Sequence, residues 1–440
     1  MARRATLPMI LALAITFVGF FTLIFVKGIT SPPLAYGAAY AGVLLGLYIL
    51  VRIMLPHADA LLLPIVTLLT GVGLVMIFRL TYDVRGIENL ATTQVVWILI
   101  GSAAMLLVIL LFRNYERLLE YKYLIGIVAI LFMASVATPL GYEVNGARLW
   151  LHLGPVNIQP SEFAKIALII FYAGYLADKR EVMAATSRSF LGMQIPALKY
   201  FGPVAVVWGA SLLLLVVEND LGDSLLFFAV PLLMLYVATG RMAYIVLGGI
   251  LFGIGAYAAY NLFGHVQLRV IAWLNPWPHA QDQCCYQVVQ SLFNIADGGI
   301  TGTGLGEGFA QTIPDVQTDF IFASVASELG LLGASALLLV FLAFVYRGIK
   351  IAMLATDPAA KLLAFGLTAM FALQTLIIVG GVTKAIPLTG VTLPFVSYGG
   401  SSIVGNFILT GLLLVISEHA GKQHAAARDE YYAGGEEYAG

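Results

Sequence analysis

Glu162 and Lys165 stand three residues apart in the stretch Gln159-Pro160-Ser161-Glu162-Phe163-Ala164-Lys165, where a long apolar run begins. That spacing puts both groups on one face of a helix, and Pro160 with Ser161 suits its first turn. Such a pair is either a capped helix start with a locally paired lysine or the lining of a polar cavity, and charge placed inside apolar sequence argues for the cavity. Arg148 is a further cation shortly before it. Glu218, Asp220 and Asp223 crowd together between two more apolar runs, either as a solvated turn or as a second charged group. Between Trp273 and Tyr286 the chain offers His279 and Asp282, an imidazole and a carboxylate, either of which can act as a general base. The bland alternative for both is a solvated loop, since loop residues more often position than react.

The elements that must position these groups follow from composition. Of 440 residues 60% are hydrophobic and 11% charged, and the mean hydropathy is +0.93; soluble proteins average about 45–50% and about 25%. A water-soluble fold is excluded, and a transmembrane helix needs about 20 apolar residues. Runs at about 7–26, 35–55, 59–78, 91–112, 123–141, 161–177, 198–217, 221–238, 242–263, 320–346, 362–383 and 399–417 predict twelve spans. They are continuous rather than alternating, so helices and not barrel strands are expected. The first run follows Arg3 and Arg4 but has no small-residue cleavage site, and it is expected to be a retained span. Threading from a cytoplasmic N-terminus places sixteen Lys/Arg inside, six outside and Lys165 within a span. The positive-inside rule then predicts both termini in the cytoplasm and residues 142–160, 264–319 and 384–398 outside. The tail 419–440 lacks an apolar run and is expected to be solvated and cytoplasmic. A net charge of −1 gives no footprint for nucleic acid.

Other features carry less chemistry. The run from Gly298 to Gly308 is glycine-rich but has neither the spacing nor the Lys-Ser/Thr ending of a phosphate loop. It suits close backbone packing, or amides bound to a diphosphate. Glu328 lies deep in the span that follows Thr318 and Asp319. Cys284 and Cys285 are adjacent, an unfavourable spacing for an unstrained disulfide, and two thiols alone make no zinc site. The six histidines show no metal-ligand spacing, and no Ser/His/Asp set points to a hydrolase.

The stretch Gly390-Val391-Thr392-Leu393-Pro394-Phe395-Val396-Ser397-Tyr398-Gly399-Gly400-Ser401-Ser402 resembles the C-terminal signature of the SEDS family (shape, elongation, division and sporulation), which includes RodA and FtsW. The segments Gly146 to Trp150, Gln159 to Lys165, Glu218 to Gly222, Tyr286 to Ser291 and Thr318 to Ala323 resemble further family motifs in the family's order. Together they cover roughly residues 59 to 418, a ten-helix core to which residues 1–58 add two helices. The run Gly380 to Thr389 is similar to actinobacterial members.

The resemblance implies an all-α polytopic membrane protein acting as an inverting peptidoglycan glycosyltransferase during cell elongation or division. Its substrate would be lipid II and its partner a class B penicillin-binding protein transpeptidase. No nucleotide or organic cofactor is expected; a divalent cation, Mg2+ or Mn2+, or Arg/Lys would stabilise the departing pyrophosphate. Thr318, Asp319, Lys384, Ser397, Tyr398, Ser401 and Ser402 would join Arg148, Glu162 and Lys165 in binding substrate. Family members usually carry the catalytic Asp six residues before the Tyr of a Gly-x-Gly-Tyr-Gln element. Ala280 stands there in this chain, and the nearest carboxylate is Asp282, four residues before Tyr286. Asp282 is therefore the expected base, with His279 as the alternative. Gln317 stands where His commonly precedes Thr-Asp, and Ser327 where Glu commonly precedes Glu328. A lipid-precursor flippase or a non-catalytic synthase scaffold would use the same membrane core without needing Asp282.

Overall fold

The computed structural model describes residues 6–28, 32–82, 90–144, 147–154, 156–185, 187–190, 193–196 and 198–437. Arg3, Arg4, Arg85, Gly146 and the side chain of Cys284 lie outside the described residues. The chain forms helices α1 (Thr6–Lys27), α2 (Pro32–Met54), α3 (Leu62–Tyr82), α4 (Leu90–Leu111), α5 (Tyr115–Glu120) and α6 (Lys122–Ala134). A three-stranded antiparallel sheet follows, made of β1 (Gly141–Val144), β2 (Ala147–Leu153) and β3 (Val156–Ile158). Then come α7 (Pro160–Ala185), a hairpin of β4 (Ser187–Phe190) and β5 (Met193–Pro196), α8 (Leu198–Val217), α9 (Leu221–Thr239) and α10 (Met242–Leu262). The chain continues with α11 (Gly264–Leu274), α12 (Gln283–Gly298), α13 (Ile321–Leu354), α14 (Pro358–Val382) and α15 (Gly400–Glu437).

All twelve apolar runs become helices, because in lipid a backbone must satisfy its own hydrogen bonds. Among the described residues nine helices are long and apolar enough to cross a membrane. Of the other three, α6 and α8 have shorter apolar stretches, and α7 carries Glu162 and Lys165 in its first turns. This is a multi-pass membrane protein. Helices α3, α14 and α15 are the most enclosed, whereas α10 is almost wholly exposed on its apolar surface.

The boundaries differ from the sequence expectation in three places. The run 123–141 ends early, at Ala134 and a short 3-10 turn, because the chain then enters the small sheet. The segment 264–319 is no open loop: it holds α11 and α12, the second with a buried face that includes Val288, Val289 and Ser291. The last span runs on as helix to Glu437, and its first turns beyond the apolar run are packed, with Glu418 and Ala420 buried.

Helix contacts inside lipid rest on shape fit rather than on water exclusion. An aromatic ladder joins α13, α14, the signature segment and α15: Phe344 stacks on Phe371 at 4.0 Å, Phe371 meets Phe395 at 6.1 Å, and Phe395 meets Phe407 edge-on at 5.5 Å. Phe395 holds a φ of 64°, a conformation a non-glycine residue avoids at a cost on the order of 1–2 kcal/mol. Complete burial of its ring within the ladder offsets that cost.

The glycine-rich run explains itself by close packing. Gly330, with φ 65°, breaks α13, and residues 298–308 wrap the break. Thr303 N–H donates to the Ser327 carbonyl and Gly304 N–H to the Glu328 carbonyl, while Leu331 and Leu332 N–H donate to the carbonyls of Gly299 and Ile300. Glu328 accepts from Gly306 N–H at 2.8 Å and pairs with Arg79 Nε of α3 at 2.9 Å; Arg79 also donates to the Gly308 carbonyl at 2.5 Å. Glu328 is thus a buried counterion that ties α3 to α13. A Cβ on Gly302 would lie 2.2 Å from the Glu328 carbonyl oxygen, with φ at +87°. Gly302→Ala should therefore destabilise the protein by on the order of 3 kcal/mol. Thermal unfolding in detergent checks this, and an unchanged midpoint would refute the packing role.

Candidate functional site

Helix α7 opens at Pro160, whose missing N–H costs nothing in the first turn, and its Gln159 N–H donates to Ser401 Oγ at 3.0 Å. One turn in, Lys165 Nζ lies 3.0 Å from Glu162 Oε1 and 3.5 Å from Asp223 Oδ1. It also lies 3.4 Å from Gln374 Oε1, and the Gln374 amide donates to the Thr392 carbonyl at 3.0 Å. All three charged side chains are buried. The expected one-face pair is thus present, but its ammonium is shared by α7, α9 and α14. Among the described residues the second oxygen of Asp223 and the hydroxyl of Ser161 are buried without a hydrogen-bond partner, so the polar core is not fully satisfied from within.

The turn from α8 to α9 holds the other acids. Asn219 takes φ 61°, which lets Asp220 cap α9 by accepting from Asp223 N–H at 2.9 Å. Burial pushes the Glu218 carboxyl up to about 8, with Asp220 and Asp223 adding repulsion. Burial likewise raises Asp220 to about 7, against the pull of Lys165 and Arg269. A carboxyl raised in the fold favours its neutral form there, so its contribution to stability is full at acid pH and is lost as pH rises towards the folded value. Glu218→Gln should therefore flatten the fall in thermal midpoint between about pH 5 and pH 8 in detergent. An unaltered pH slope would show that Glu218 is not the group responsible.

Arg148 does not join Lys165. Its backbone N–H donates to the Glu218 carbonyl at 3.3 Å, while its guanidinium bonds the Thr138 and Gly141 carbonyls at 2.7 and 2.9 Å. It clamps the small sheet beside the acidic turn. The cation that does reach the acids is Arg269 of α11, which donates to the Thr389 carbonyl at 3.0 Å and feels the charges of Asp220 and Asp319. Sequence reading passed over Arg269 and Gln374. A lone amide within an apolar run was the available signal for Gln374.

The signature segment serves as a junction. Ser397 Oγ accepts from Leu393 N–H at 2.9 Å and donates to the Thr318 carbonyl, and Tyr398 N–H donates to the Gln317 carbonyl at 2.8 Å. Ser402 bonds Thr392 at 2.8 Å and, at 2.8 Å through its carbonyl, the Asn406 amide. Ser397, Ser401 and Ser402 are therefore buried and engaged in fixing the backbone. Thr318 donates its hydroxyl to the Asp315 carbonyl at 2.9 Å. Asp319 beside it is raised to about 6, chiefly by burial, with Asp315 adding to the shift and Thr318 and Arg269 opposing it. Lys384 is half-buried at φ 62°, just past α14.

Ahead of α12, a 3-10 turn at Trp277–His279 brings the two candidate bases together: His279 Nδ1 lies 2.8 Å from Asp282 Oδ2. Both are exposed, at 49% and 62% of their side-chain surface. Asp282 occupies the N-cap position of α12 without capping it, so its carboxylate is turned to the imidazole. What the sequence offered as alternatives is one hydrogen-bonded dyad. Among the described residues no group of three or more His, Cys, Asp or Glu is arranged to hold a metal.

A family model described as "Cell cycle protein" and covering FtsW, RodA and SpoVE matches residues 59–422. The peptidoglycan glycosyltransferase RodA of Mycobacterium tuberculosis (strain ATCC 25618 / H37Rv) is 41% identical over 400 residues, spanning 90% of this chain and 85% of its own. Stage V sporulation protein E of Bacillus subtilis (strain 168) is 33% identical over 371 residues, 82% of this chain and 97% of its own. Among solved structures, the rod shape determining protein RodA of Thermus thermophilus superposes with a TM-score of 0.59 at 24% identity, covering 82% of this chain and 96% of that one. A chain solved in a peptidoglycan synthase complex that coordinates polymerization and crosslinking gives a TM-score of 0.67 at 24% identity, covering 82% and 98%. The chain belongs to the FtsW/RodA/SpoVE family.

Proposed function

We propose that this protein is a peptidoglycan glycosyltransferase that polymerises lipid II. The observation that carries the reading is the 41% identity to a RodA so named, over 90% of the chain. The site geometry agrees with it. The start of α7, the α8–α9 turn, α11 and the signature segment are tied by the Gln159–Ser401, Lys165–Asp223, Arg269–Thr389 and Tyr398–Gln317 contacts. A lipid-linked sugar diphosphate needs such an arrangement, with its tail in the bilayer and its headgroup at the membrane face.

The reaction joins the 4-hydroxyl of an acceptor sugar to the anomeric carbon of the growing chain. The bond to undecaprenyl pyrophosphate breaks with inversion. One base must take the hydroxyl proton; we assign it to Asp282, paired with His279 at 2.8 Å, with His279 as the alternative. Positive charge must meet the departing diphosphate, and Lys165 and Arg269 supply it. A divalent cation, Mg2+ or Mn2+, would add charge at the diphosphate; among the described residues no group of three or more His, Cys, Asp or Glu is gathered to hold one, and Asp319 is a carboxylate that would help hold it. A single-span class B penicillin-binding protein is the expected partner, because polymer without crosslinks makes no wall. Purified protein given lipid II in detergent should form glycan strands. Transbilayer movement without polymer would favour a flippase instead, and neither activity with partner binding retained would favour a scaffold.

Both termini are placed in the cytoplasm and the site end outside, from the sixteen-to-six division of basic residues. Cys285 is buried, so it cannot report on sidedness. In a variant with both native cysteines replaced by alanine, Gln281→Cys should be labelled from outside intact cells and Glu181→Cys should not. The opposite pattern would invert the topology.

A further inference from the structure

At the end of the bundle opposite the candidate site, the last turns of α7, α9 and α13 and the first of α14 leave a cleft of about 280 Å³. That is near the small end of ligand clefts, which run from about 300 to 1,000 Å³, and it suits part of one flexible chain rather than a whole folded ligand. Val237, Ala352, Leu362 and Phe365 make its wall apolar, and two cations, Arg180 and Lys361, stand at its mouth. Among the described residues Arg180 pairs only with its exposed neighbour in sequence, Glu181, at 3.7 Å. Asp357, the acid nearest Lys361 in sequence, is turned away: its carboxylate caps α14 through Ala360 N–H at 2.9 Å and meets Tyr115. Among the described residues neither cation has a buried carboxylate within ion-pair distance.

We propose that this cleft binds one anionic phospholipid, with acyl-chain methylenes against the apolar wall and the phosphate between Arg180 and Lys361. Apolar depth with paired cations at a helix-end mouth is complementary to a lipid with a negative headgroup and to no soluble anion, which would leave the wall bare. The residues that carry this inference lie far along their helices from Lys165 and Asp282, so it stands whether or not the protein polymerises lipid II.

Native mass spectrometry of the full-length protein in detergent tests it, with phosphatidylglycerol and phosphatidylcholine of identical chains offered in parallel. The wild type should retain one phosphatidylglycerol about tenfold better than phosphatidylcholine. Arg180→Gln with Lys361→Gln should remove that preference; both side chains are exposed, and a thermal melt checks that folding is intact. Ala352→Phe, which fills the cleft, should reduce retention of either lipid. Equal retention of the two lipids by the wild type, or an undiminished preference in the double variant, would overturn the proposal. So would complete displacement of phosphatidylglycerol by inorganic phosphate, which would reveal a plain anion site.

Discussion

Lys165→Met is expected to lose polymerisation by on the order of 10²–10³-fold, the usual effect of removing one charge donor from a reacting site. The structure makes the single variant ambiguous, because the same ammonium pairs with two buried carboxylates, Glu162 at 3.0 Å and Asp223 at 3.5 Å. Deleting one partner of a buried ion pair costs about 3–5 kcal/mol, since the remaining charge is left uncompensated. Loss of activity in Lys165→Met would thus also follow from a protein that no longer folds. A neutral set separates the two effects. Glu162→Gln, Lys165→Met and Asp223→Asn together remove every charge of the cluster, and replacing a whole buried ionic group by neutral residues is often harmless to stability. The triple variant should regain the thermal midpoint that Lys165→Met loses, yet stay inactive in glycan-strand synthesis. A triple variant that recovers both stability and polymer would reduce the cluster to a structural tie between α7 and α9.

That double role was only half legible in the sequence. The Glu162–Lys165 spacing is local, and helical geometry fixes what three residues apart must mean. Asp223 and Gln374 lie 58 and 209 residues from Lys165, and nothing local records that α9 and α14 bring them to it. The spans themselves were readable for a different reason: lipid forces every crossing segment into a continuous apolar helix. Where that constraint lapses, so did the reading. The charge pattern places 264–319 outside without revealing its helices, although α12 presents Val288, Val289 and Ser291 to the core at helical spacing. Arg148 reads as a site cation because it precedes α7, and nothing local records that the Thr138 and Gly141 carbonyls take its guanidinium. The signature serines read as substrate groups, and the fold adds a backbone role that no local pattern records: Ser397, with the Tyr398 N–H, holds residues 317–318 against residues 393–398, while Ser401 meets Gln159 and Ser402 meets Thr392. The glycine run was legible in type and not in partner, for only the broken helix at Gly330 explains why no side chain fits at Gly302.

Asp282→Asn is expected to cost about 10²–10⁴-fold in polymerisation, the range of a positioned general base. The substitution keeps size and one acceptor oxygen but removes the basic one, so folding and lipid II binding should persist. Pairing with His279 at 2.8 Å changes what the companion variant means. If Asp282 takes the proton, His279 orients the carboxylate, and His279→Ala should cost no more than about tenfold, the worth of roughly one hydrogen bond at 1.4 kcal/mol per decade. If the imidazole takes the proton, Asp282 orients the ring and stabilises its charged form, and His279→Ala becomes the more damaging change. The two exposed side chains contribute little to packing, so unfolding does not confuse the comparison. The assignment to Asp282 rests on carboxylate chemistry, and on a position two residues from the place where the family usually carries its Asp. Measuring strand synthesis for both variants at equal lipid II occupancy ranks them directly. A His279→Ala loss larger than that of Asp282→Asn would transfer the base to the imidazole, and full activity in both would leave this segment outside the reaction.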